Sequence, residues 1–384
     1  MNVLLNEALQ SALPERAEAD PPLSAPFPRT VTARAGSSLV IALIPAHDEE
    51  EQIADAIRSL HEQEAPPDMI IVCADNCTDS TAREAQAAGA YVFETVDNEH
   101  KKAGALNQAL EHLLPQLCDE DAVLVMDADV ALAPMFTTEA ARRLRDGYGG
   151  IGGVFTGRSG GGFVGMLQRN EYARYARDTA RLKGKVLVLT GTATLFSART
   201  LRRVVVARAE GLLPGGSAQV YDTSVLTEDN ELTLALLHLG YKVISPKGCR
   251  LTTEVMGSWR DLYRQRLRWK RGAIENLREY GLTRVTATYW GRQLFTFLGL
   301  VATLVYFLSL GFSLAVYGTF HVQPLWLAVT GIFIAERIVT VRARGPLQMA
   351  LAATLLVEMT FDVFLQGVHV KAIWDTALNN ERSW

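Results

Sequence analysis

The chain has 384 residues, which is long enough for one large domain and an appendage, and 48% of its residues are hydrophobic, a high share for a purely soluble enzyme. The formal net charge of −4, without a long basic tract, argues against nucleic acid as a partner. The four cysteines lack zinc-ligand spacing, so they are expected to be reduced core or loop residues: Cys73, Cys77, Cys118 and Cys249.

The first 35 residues contain five prolines and predict a loosely ordered N-terminal arm. Met1–Asp20 lacks the basic start and the apolar core of a secretory signal. The domain that follows is therefore expected to remain in the cytoplasm.

Residues 36–257 alternate between strand and helix signals, which predicts an α/β domain with a mostly parallel sheet flanked by helices. Apolar stripes at helical spacing lie in Ile53–Leu60 and Leu106–Leu113. The predicted strands are Leu39–Ile44, Met69–Cys73, Ala90–Glu94, Ala122–Met126, Ile151–Thr156 and Val186–Leu189. In such sheets, ligands bind beyond the carboxyl ends of the strands.

Acidic and small polar residues follow the first two predicted strands, in the loops Pro45–Glu50 and Asp75–Ser80. One interpretation is helix capping, because Asp and Thr before a helix accept hydrogen bonds from free N–H groups. In the other interpretation, Glu49 and Asp75 accept hydrogen bonds from the base and ribose of a nucleotide.

The segment Lys101–Asn107 follows the third strand and begins a predicted helix. A helix N-terminus beside Lys102 suits a diphosphate, since free N–H groups and the positive end of the dipole add to the ammonium charge. The alternative is a solvated lysine pair.

Asp127-Ala128-Asp129 stands where the apolar run Ala122–Met126 ends and a buried strand emerges into a loop. Mg²⁺ and Mn²⁺ take oxygen ligands and are commonly held by one or two carboxylates together with substrate phosphates. The triplet therefore suits a nucleoside diphosphate with its metal, although paired acids at a strand end are also common as solvated loop residues.

Thr227-Glu228-Asp229 precedes a predicted helix at Glu231–Leu239. Thr227 and the two acids suit a helix start, through capping and the dipole. Alternatively, Asp229 is a general base that deprotonates an acceptor hydroxyl.

Residues 258–292 are predicted to form basic interfacial helices, with nine Lys or Arg residues against three acids. This charge agrees with the positive-inside rule and suits anionic lipid headgroups. Within it, Gln265–Trp269 either lies at headgroup level or brings Arg268 to a pyrophosphate and Trp269 to a sugar ring.

Residues 293–370 are predicted to form about three transmembrane helices, followed by a tail at 371–384. Leu294–Tyr317 carries no charge, and at roughly 1.5 Å per residue it can cross roughly 30 Å of hydrocarbon. The other two candidates are Val322–Val341 and Leu347–Val370.

The third candidate carries Glu358 and Asp362, which lie four residues apart on one helix face. They form either a functional intramembrane site or a face packed against Arg337 of the second candidate.

Taken together, seven motifs in this order resemble the family 2 glycosyltransferases of GT-A (Rossmann-like) fold. The resemblance is strongest to the membrane-bound processive branch of cellulose, chitin, hyaluronan and poly-N-acetylglucosamine synthases, and it covers roughly residues 38–292. The motifs are Pro45–Glu50, Asp75–Ser80, Lys102–Asn107, Asp127–Asp129, Gly191–Thr194, Thr227–Asp229 and Gln265–Trp269.

The resemblance implies an inverting transfer of a sugar from a nucleoside diphosphate, usually UDP, to a hydroxyl of a growing glycan. It implies an integral plasma-membrane protein with a cytoplasmic catalytic domain, in which Asp229 is the base beside Glu228, and Asp127 and Asp129 hold Mn²⁺ or Mg²⁺. The donor-binding residues that it implies are Pro45, Glu49, Asp75, Lys102, Asp127, Gln265 and Arg268. The acceptor-binding residues that it implies are Gly191, Thr192 and Trp269.

Three functions stay open at this point. The first is glycan elongation, the second is transfer of one sugar to a polyprenyl phosphate or another membrane lipid, and the third is a catalytically silent nucleotide-binding membrane scaffold. About three helices are few for a polymer channel, so elongation predicts either a homo-oligomer or a product that is not a long extruded polymer.

Overall fold

The computed structural model describes residues 38–318 and 324–380. The predicted arm at residues 1–35 lies outside the described residues, as does the end of the predicted tail. The described residues form a mixed α/β fold with a central sheet and flanking helices, which confirms the predicted class.

The chain divides into two compact units. The first contains the described residues up to Arg158 together with Asp178–Glu254, and the second contains Ser159–Arg177 and the described residues from Val255 onward. The domain boundaries that the sequence predicts after residues 35, 257, 292 and 370 stay predictions.

The strands of the described residues all lie in the first unit and form two sheets. They are β1 (Val40–Ala46), β2 (Met69–Ala74), β3 (Tyr91–Glu94), β4 (Ala122–Met126), β5 (Ala131–Leu132), β6 (Gly150–Gly152), β7 (Val154–Gly157), β8 (Ala193–Ser197), β9 (Val243–Ile244) and β10 (Arg250–Thr253). The central sheet has the order β3-β2-β1-β4-β8-β6-β9, and the small sheet has the order β5-β10-β7.

The first four strands of the central sheet run parallel, and β8 is antiparallel to both of its neighbours. Every residue of β2 and β4 is buried. Continuous apolar runs are expected for parallel strands that are covered on both faces. The prediction of a mostly parallel sheet is confirmed, and β1 to β4 occur where the sequence predicts them.

The predicted strand Val186–Leu189 is wrong, because this segment is irregular and the strand of this region is β8. The backbone N–H of Leu189 donates to the hydroxyl of Thr233 over 3.0 Å. Its side chain packs on Gly150, where a Cβ would lie 2.5 Å from Leu189 Cδ1. The apolar run is thus a buried loop that packs on the sheet.

The predicted strand Ile151–Thr156 is two strands, β6 and β7, which part at Gly153 and join different sheets. A Cβ at Gly153 would lie 2.3 Å from Leu251 Cδ2 of β10, so any larger residue here would force the Leu251 side chain to move. Because of this split, β7 is free to leave the central sheet and pair with β10. On its other side, β10 pairs with β5, a short strand that follows β4 in the sequence.

Both predicted apolar stripes are confirmed as buried helix faces of the first unit. The helices of the described residues are α1 (Ile53–His61), α2 (Thr81–Ala87), α3 (Lys101–Leu113), α4 (Phe136–Arg145), α5 (Gly162–Arg181), α6 (Ala198–Ala209), α7 (Glu228–His238), α8 (Trp259–Tyr280), α9 (Ala287–Tyr317), α10 (Pro324–Val341), α11 (Pro346–Ala353) and α12 (Leu355–Ala377).

The second unit carries the apolar helices. Among the described residues, one helix, at Thr286–Tyr317, is long and apolar enough to cross a membrane. A second candidate arises only if Pro346–Ala353 and Leu356–Ala377, which meet at a bend of 75°, count as one span. The large apolar side chains along α9, such as Phe295 and Leu308, are exposed. By length and composition, these helices could form one or two of the about three spans that the sequence predicts, and the spans stay predictions.

A buried charge network joins α5, α10 and α12 within the second unit. Arg337 contacts Glu358 over 2.7 Å and Asp362 over 3.2 Å. Arg174 pairs with the same Glu358, which is 1% exposed, and Asn170 Nδ2 donates to it over 2.8 Å. The two cations balance the two acids. The interpretation that this face packs against Arg337 is therefore the one that the structure supports.

Candidate active site

The carboxyl ends of β1, β2 and β4, which are neighbours in the sheet, continue into loops that carry predicted site residues. Asp75 directly follows β2, and Asp127 directly follows β4. Pro45 lies in β1 beyond the last residue pair with β4, Leu43 with Val125, so its missing N–H removes no hydrogen bond between these two strands. The topology thus brings three predicted site segments to one edge of the sheet.

Asp75 is 7% exposed, and its Oδ1 accepts three hydrogen bonds. The donors are Asn98 Nδ2 at 2.7 Å, Thr95 Oγ1 at 2.8 Å and Asn76 Nδ2 at 3.2 Å. Within residues 38–318 and 324–380, no hydrogen bond reaches Oδ2. The start of α3 packs directly on this arrangement, since a Cβ at Gly104 would lie 1.9 Å from Asn98 Oδ1.

The loops after β1 and β2 are tied together by Asp48, which has a positive φ of 54°. Its Oδ1 accepts the N–H of Thr78 over 2.7 Å, and its Oδ2 accepts the Thr78 hydroxyl over 3.1 Å. The possible ligand atoms of Asp48, Cys77 and Asp79 lie within 4.8 Å of one another. Because backbone N–H groups already donate to both carboxylates, we interpret this group as a structural link between the two loops.

Lys102, in the first turn of α3, lies at the centre of the site. Its Nζ is 2.5 Å from Asp127 Oδ1, 3.3 Å from Glu228 Oε1 and 3.1 Å from the carbonyl oxygen of Gly191. Burial lowers the pKa of Lys102, but the charges of Asp127 and Glu228 outweigh it and raise that pKa, so the ammonium stays protonated. The N–H of Asp127 donates to the carbonyl of Thr192 over 3.0 Å.

Asp129 is held from the end of β10. Thr253 Oγ1 donates to Asp129 Oδ2 over 3.0 Å, and the N–H of Glu254 approaches the same oxygen at 3.4 Å. Burial, followed by the charges of Asp129, Glu254 and Asp127, raises the pKa of Glu49 to about 7. This excess of negative charge on oxygen donors fits a hard divalent cation, which would offset it.

Asp229 lies in the first turn of α7, and two backbone N–H groups orient its carboxylate. Gly191 donates to Oδ2 and Asn230 donates to Oδ1, each over 2.8 Å. Burial, and then the charge of Glu228, raise the pKa of Asp229 to about 6. A carboxylate with a pKa near neutral is suited to general-base chemistry. The side chain of Thr227 does not cap the helix.

A recess that is partly open to solvent lies beside these groups, and we call it the catalytic recess. Its polar lining comes from three separate segments of the first unit, and the rest of the lining consists of buried apolar side chains such as Val125 and Leu189. Tyr221 and Phe196 contribute to it, and no sequence motif marks either residue. The lining includes Lys102, Gly191, Phe196, Tyr221, Glu228 and Asp229.

The predicted residues Gln265, Arg268 and Trp269 lie on α8 in the second unit. Arg268 is exposed, and Trp269 is 38% exposed. Arg266, which the sequence did not indicate, is buried with its guanidinium carbon 4.4 Å from the centre of the Trp269 ring. Its Nη2 pairs with Glu171 over 2.7 Å. The guanidinium thus makes a cation–π contact with one face of the indole ring, which stabilises the position of the ring.

The family described as Glycosyltransferase like family 2 matches residues 37–272, which is more than half of the chain. The chain belongs to this family. Poly-beta-1,6-N-acetyl-D-glucosamine synthase of Staphylococcus epidermidis is 25% identical over 247 residues, covering 61% of this chain and 54% of that protein. The synthase of Staphylococcus aureus (strain COL) gives the same identity and coverage. The chain thus spans about half the length of the curated relatives that it matches.

Among solved structures, this glycosyltransferase-family chain is similar to mannosyltransferase PcManGT from Pyrobaculum calidifontis in complex with GDP-Man and Mn²⁺. The match covers 99% of this chain and 95% of that chain, with a TM-score of 0.57 and 16% identity. A likeness at this identity shows the fold alone. The predictions of a GT-A-like α/β fold and of a family 2 glycosyltransferase are confirmed, while the roles of the individual site residues stay predictions.

Proposed function

We propose that this chain transfers a sugar from a UDP-sugar to a hydroxyl of a growing glycan, with inversion at the anomeric carbon. The observation that carries the proposal is that Lys102 and Asp229 both line the catalytic recess, with Asp127 paired to Lys102. A cation suited to a diphosphate and a carboxylate with a pKa of about 6 line the same recess. Those are the two groups that a direct displacement at a sugar carbon needs.

The nucleotide end of the donor would lie at the edge formed by β1 and β2. Asp75, with Oδ1 fixed by three donors, offers Oδ2 to the base. Glu49 would accept hydrogen bonds from the ribose. Lys102 and the first N–H groups of α3 would bind the diphosphate. Asp127 and Asp129 would hold a Mn²⁺ or Mg²⁺ ion, which when bound neutralises charge on the leaving diphosphate.

Asp229 would take the proton from the attacking hydroxyl. The acceptor oxygen then bonds to the anomeric carbon while the bond to the diphosphate oxygen breaks, and one such displacement inverts the centre. Gly191 positions the base through its N–H, and its lack of a Cβ allows this approach, because a Cβ would lie 3.0 Å from Asp229 Oδ2. Lys102 stabilises the charge of the leaving group.

Trp269 would bind the acceptor through its exposed ring, which Arg266 supports on one side. Gln265 and Arg268 would contact the donor diphosphate, and Gly191 and Thr192 the acceptor. We further propose that α9 anchors the chain in the plasma membrane with the catalytic unit in the cytoplasm. The similarity to the staphylococcal poly-beta-1,6-N-acetyl-D-glucosamine synthases supports N-acetylglucosamine as the transferred sugar.

A second candidate is transfer of one sugar to a membrane lipid. It is favoured by the small number of candidate spans, one or two within the described residues, which is few for a polymer channel. The two candidates share the donor site and differ in product length.

The test uses the full chain in detergent and a panel of UDP-N-acetylglucosamine, UDP-glucose, UDP-glucuronic acid and GDP-mannose. Nucleoside diphosphate release is measured with Mn²⁺, with Mg²⁺ and with chelator, for the wild type and for Asp129→Asn. Metal-dependent release from one donor, lost in the variant, is the expected result, and product length then separates polymer from single transfer. No release and no nucleotide binding would refute the proposal. Nucleotide binding without release from any donor would favour a silent scaffold.

A further inference from the structure

Tyr221 is a polar residue of the catalytic recess to which no role has been given so far. It is 4% exposed, and it lines the recess together with Lys102, Glu228 and Asp229. In the part of the chain that the structure describes, its hydroxyl has no hydrogen-bond partner. This hydroxyl can therefore bond to a molecule in the recess.

Both polar groups of the Tyr221 backbone bond to one side chain, that of Asn107. Its N–H donates to Asn107 Oδ1 over 2.9 Å, and its carbonyl accepts from Asn107 Nδ2 over 2.8 Å. Asn107 is 4% exposed and belongs to α3, the helix that also carries Lys102. The preceding carbonyl, of Val220, accepts from Arg208, which forms a buried pair with Glu231 on α7.

These contacts give Tyr221 a fixed position relative to both helices that supply the site. Asn107, which bonds to the Tyr221 backbone, shares α3 with the proposed diphosphate-binding lysine. Glu231, which pairs with Arg208 and so reaches only the neighbouring Val220, shares α7 with the proposed base. In a displacement reaction, the transferred sugar lies between the leaving diphosphate and the group that deprotonates the acceptor.

We propose that the Tyr221 hydroxyl hydrogen-bonds to the transferred sugar of the donor, an inference that rests on the proposed function. The phenol donates to a hydroxyl or carbonyl oxygen of the sugar ring substituents and fixes the ring for in-line attack. It transfers no proton. Burial raises the pKa of Tyr221, which keeps the hydroxyl protonated as a donor at neutral pH.

The test is Tyr221→Phe in the full chain, which keeps the ring and removes only the hydroxyl. Its kcat and KM are measured with the panel donor that the wild type turns over fastest, and UDP affinity is measured by calorimetry. We expect kcat/KM to fall about 10-fold, the effect of one lost hydrogen bond, with UDP affinity and Tm unchanged. Tyr148→Phe, at a tyrosine that packs against the core of the same unit outside the recess, is the matched control.

Unchanged kcat/KM in Tyr221→Phe, with an active wild type, would overturn this inference and leave the proposed function standing. An equal loss of UDP affinity would also overturn it, because the hydroxyl would then serve the nucleotide or the fold. A wild type that releases nucleotide from no panel donor would refute the proposed function, and this inference with it.

Discussion

Asp229→Asn should stabilise the folded protein at alkaline pH relative to acid pH. The pKa of Asp229 is raised from 3.8 to about 6, so the native state holds this proton more tightly than the unfolded chain does. Ionisation of Asp229 therefore lowers the free energy of unfolding as pH rises from 3.8 through 6, and above that range this loss of stability is complete. Asparagine carries no ionisable proton and escapes this loss.

The magnitude follows from the shift. A difference of about 2 pKa units corresponds to about 3 kcal/mol at pH 8, as an upper limit for a carboxylate beside a partly open recess. Between about pH 4.5 and pH 8, the stability of the variant relative to wild type should change by about 2 kcal/mol. Comparing two pH values cancels any change in the hydrogen bond from Gly191, because that change is the same at both pH values.

The assay is thermal unfolding of both proteins in detergent at the two pH values. The difference in Tm should shift in favour of the variant by about 4–8 °C for a unit of this size. Asp55→Asn, at an exposed position on α1, controls for loss of a surface carboxylate. A Tm difference that is the same at both pH values, or that favours the wild type at pH 8, would contradict the burial of Asp229 as described.

Three further outcomes follow from the site. If Asp229 must be ionised to act, log kcat/KM of the wild type should rise with pH and level off near pH 6, and a flat profile down to about pH 5 would count against it. Gly104→Ala should place a Cβ against Asn98 and raise the donor KM about 10-fold. Gly216→Ala, at a position with open space around it, should leave the donor KM unchanged, and equal KM values for the two variants would refute the contact with Asn98. Glu231→Gln should leave Arg208 buried without its partner and lower the free energy of unfolding by about 3–5 kcal/mol, and an unchanged denaturation midpoint would refute that burial.

The sequence predicts strands β1 to β4 of the first unit well because their signals are local. β1, β2 and β4 are continuous apolar runs, and each is followed at once by the loop that carries its polar residues. Such motifs can be placed at strand ends without knowing which strands pair. Asp75 and Asp127 fall in this class, whereas Lys102 and Asp229 are marked by the starts of helices.

The remaining features depend on contacts between distant segments. β7 and β10 are four residues each and pair across about a hundred positions of sequence, so no local pattern marks the small sheet. Thr253 and Glu254 reach Asp129 only through that sheet. Tyr221 is positioned at the recess by its hydrogen bond to Asn107, which is likewise distant in sequence.

The most direct measurement of the central claim is single-turnover transfer by the full chain with saturating donor and Mn²⁺, in wild type and in Asp229→Asn, alongside UDP affinity for both. Loss of general-base catalysis should slow transfer by about 10²–10⁴-fold while UDP affinity is retained. Transfer by the variant at the wild-type rate would show that Asp229 does not take the proton, and the catalytic assignment of the recess would have to be abandoned.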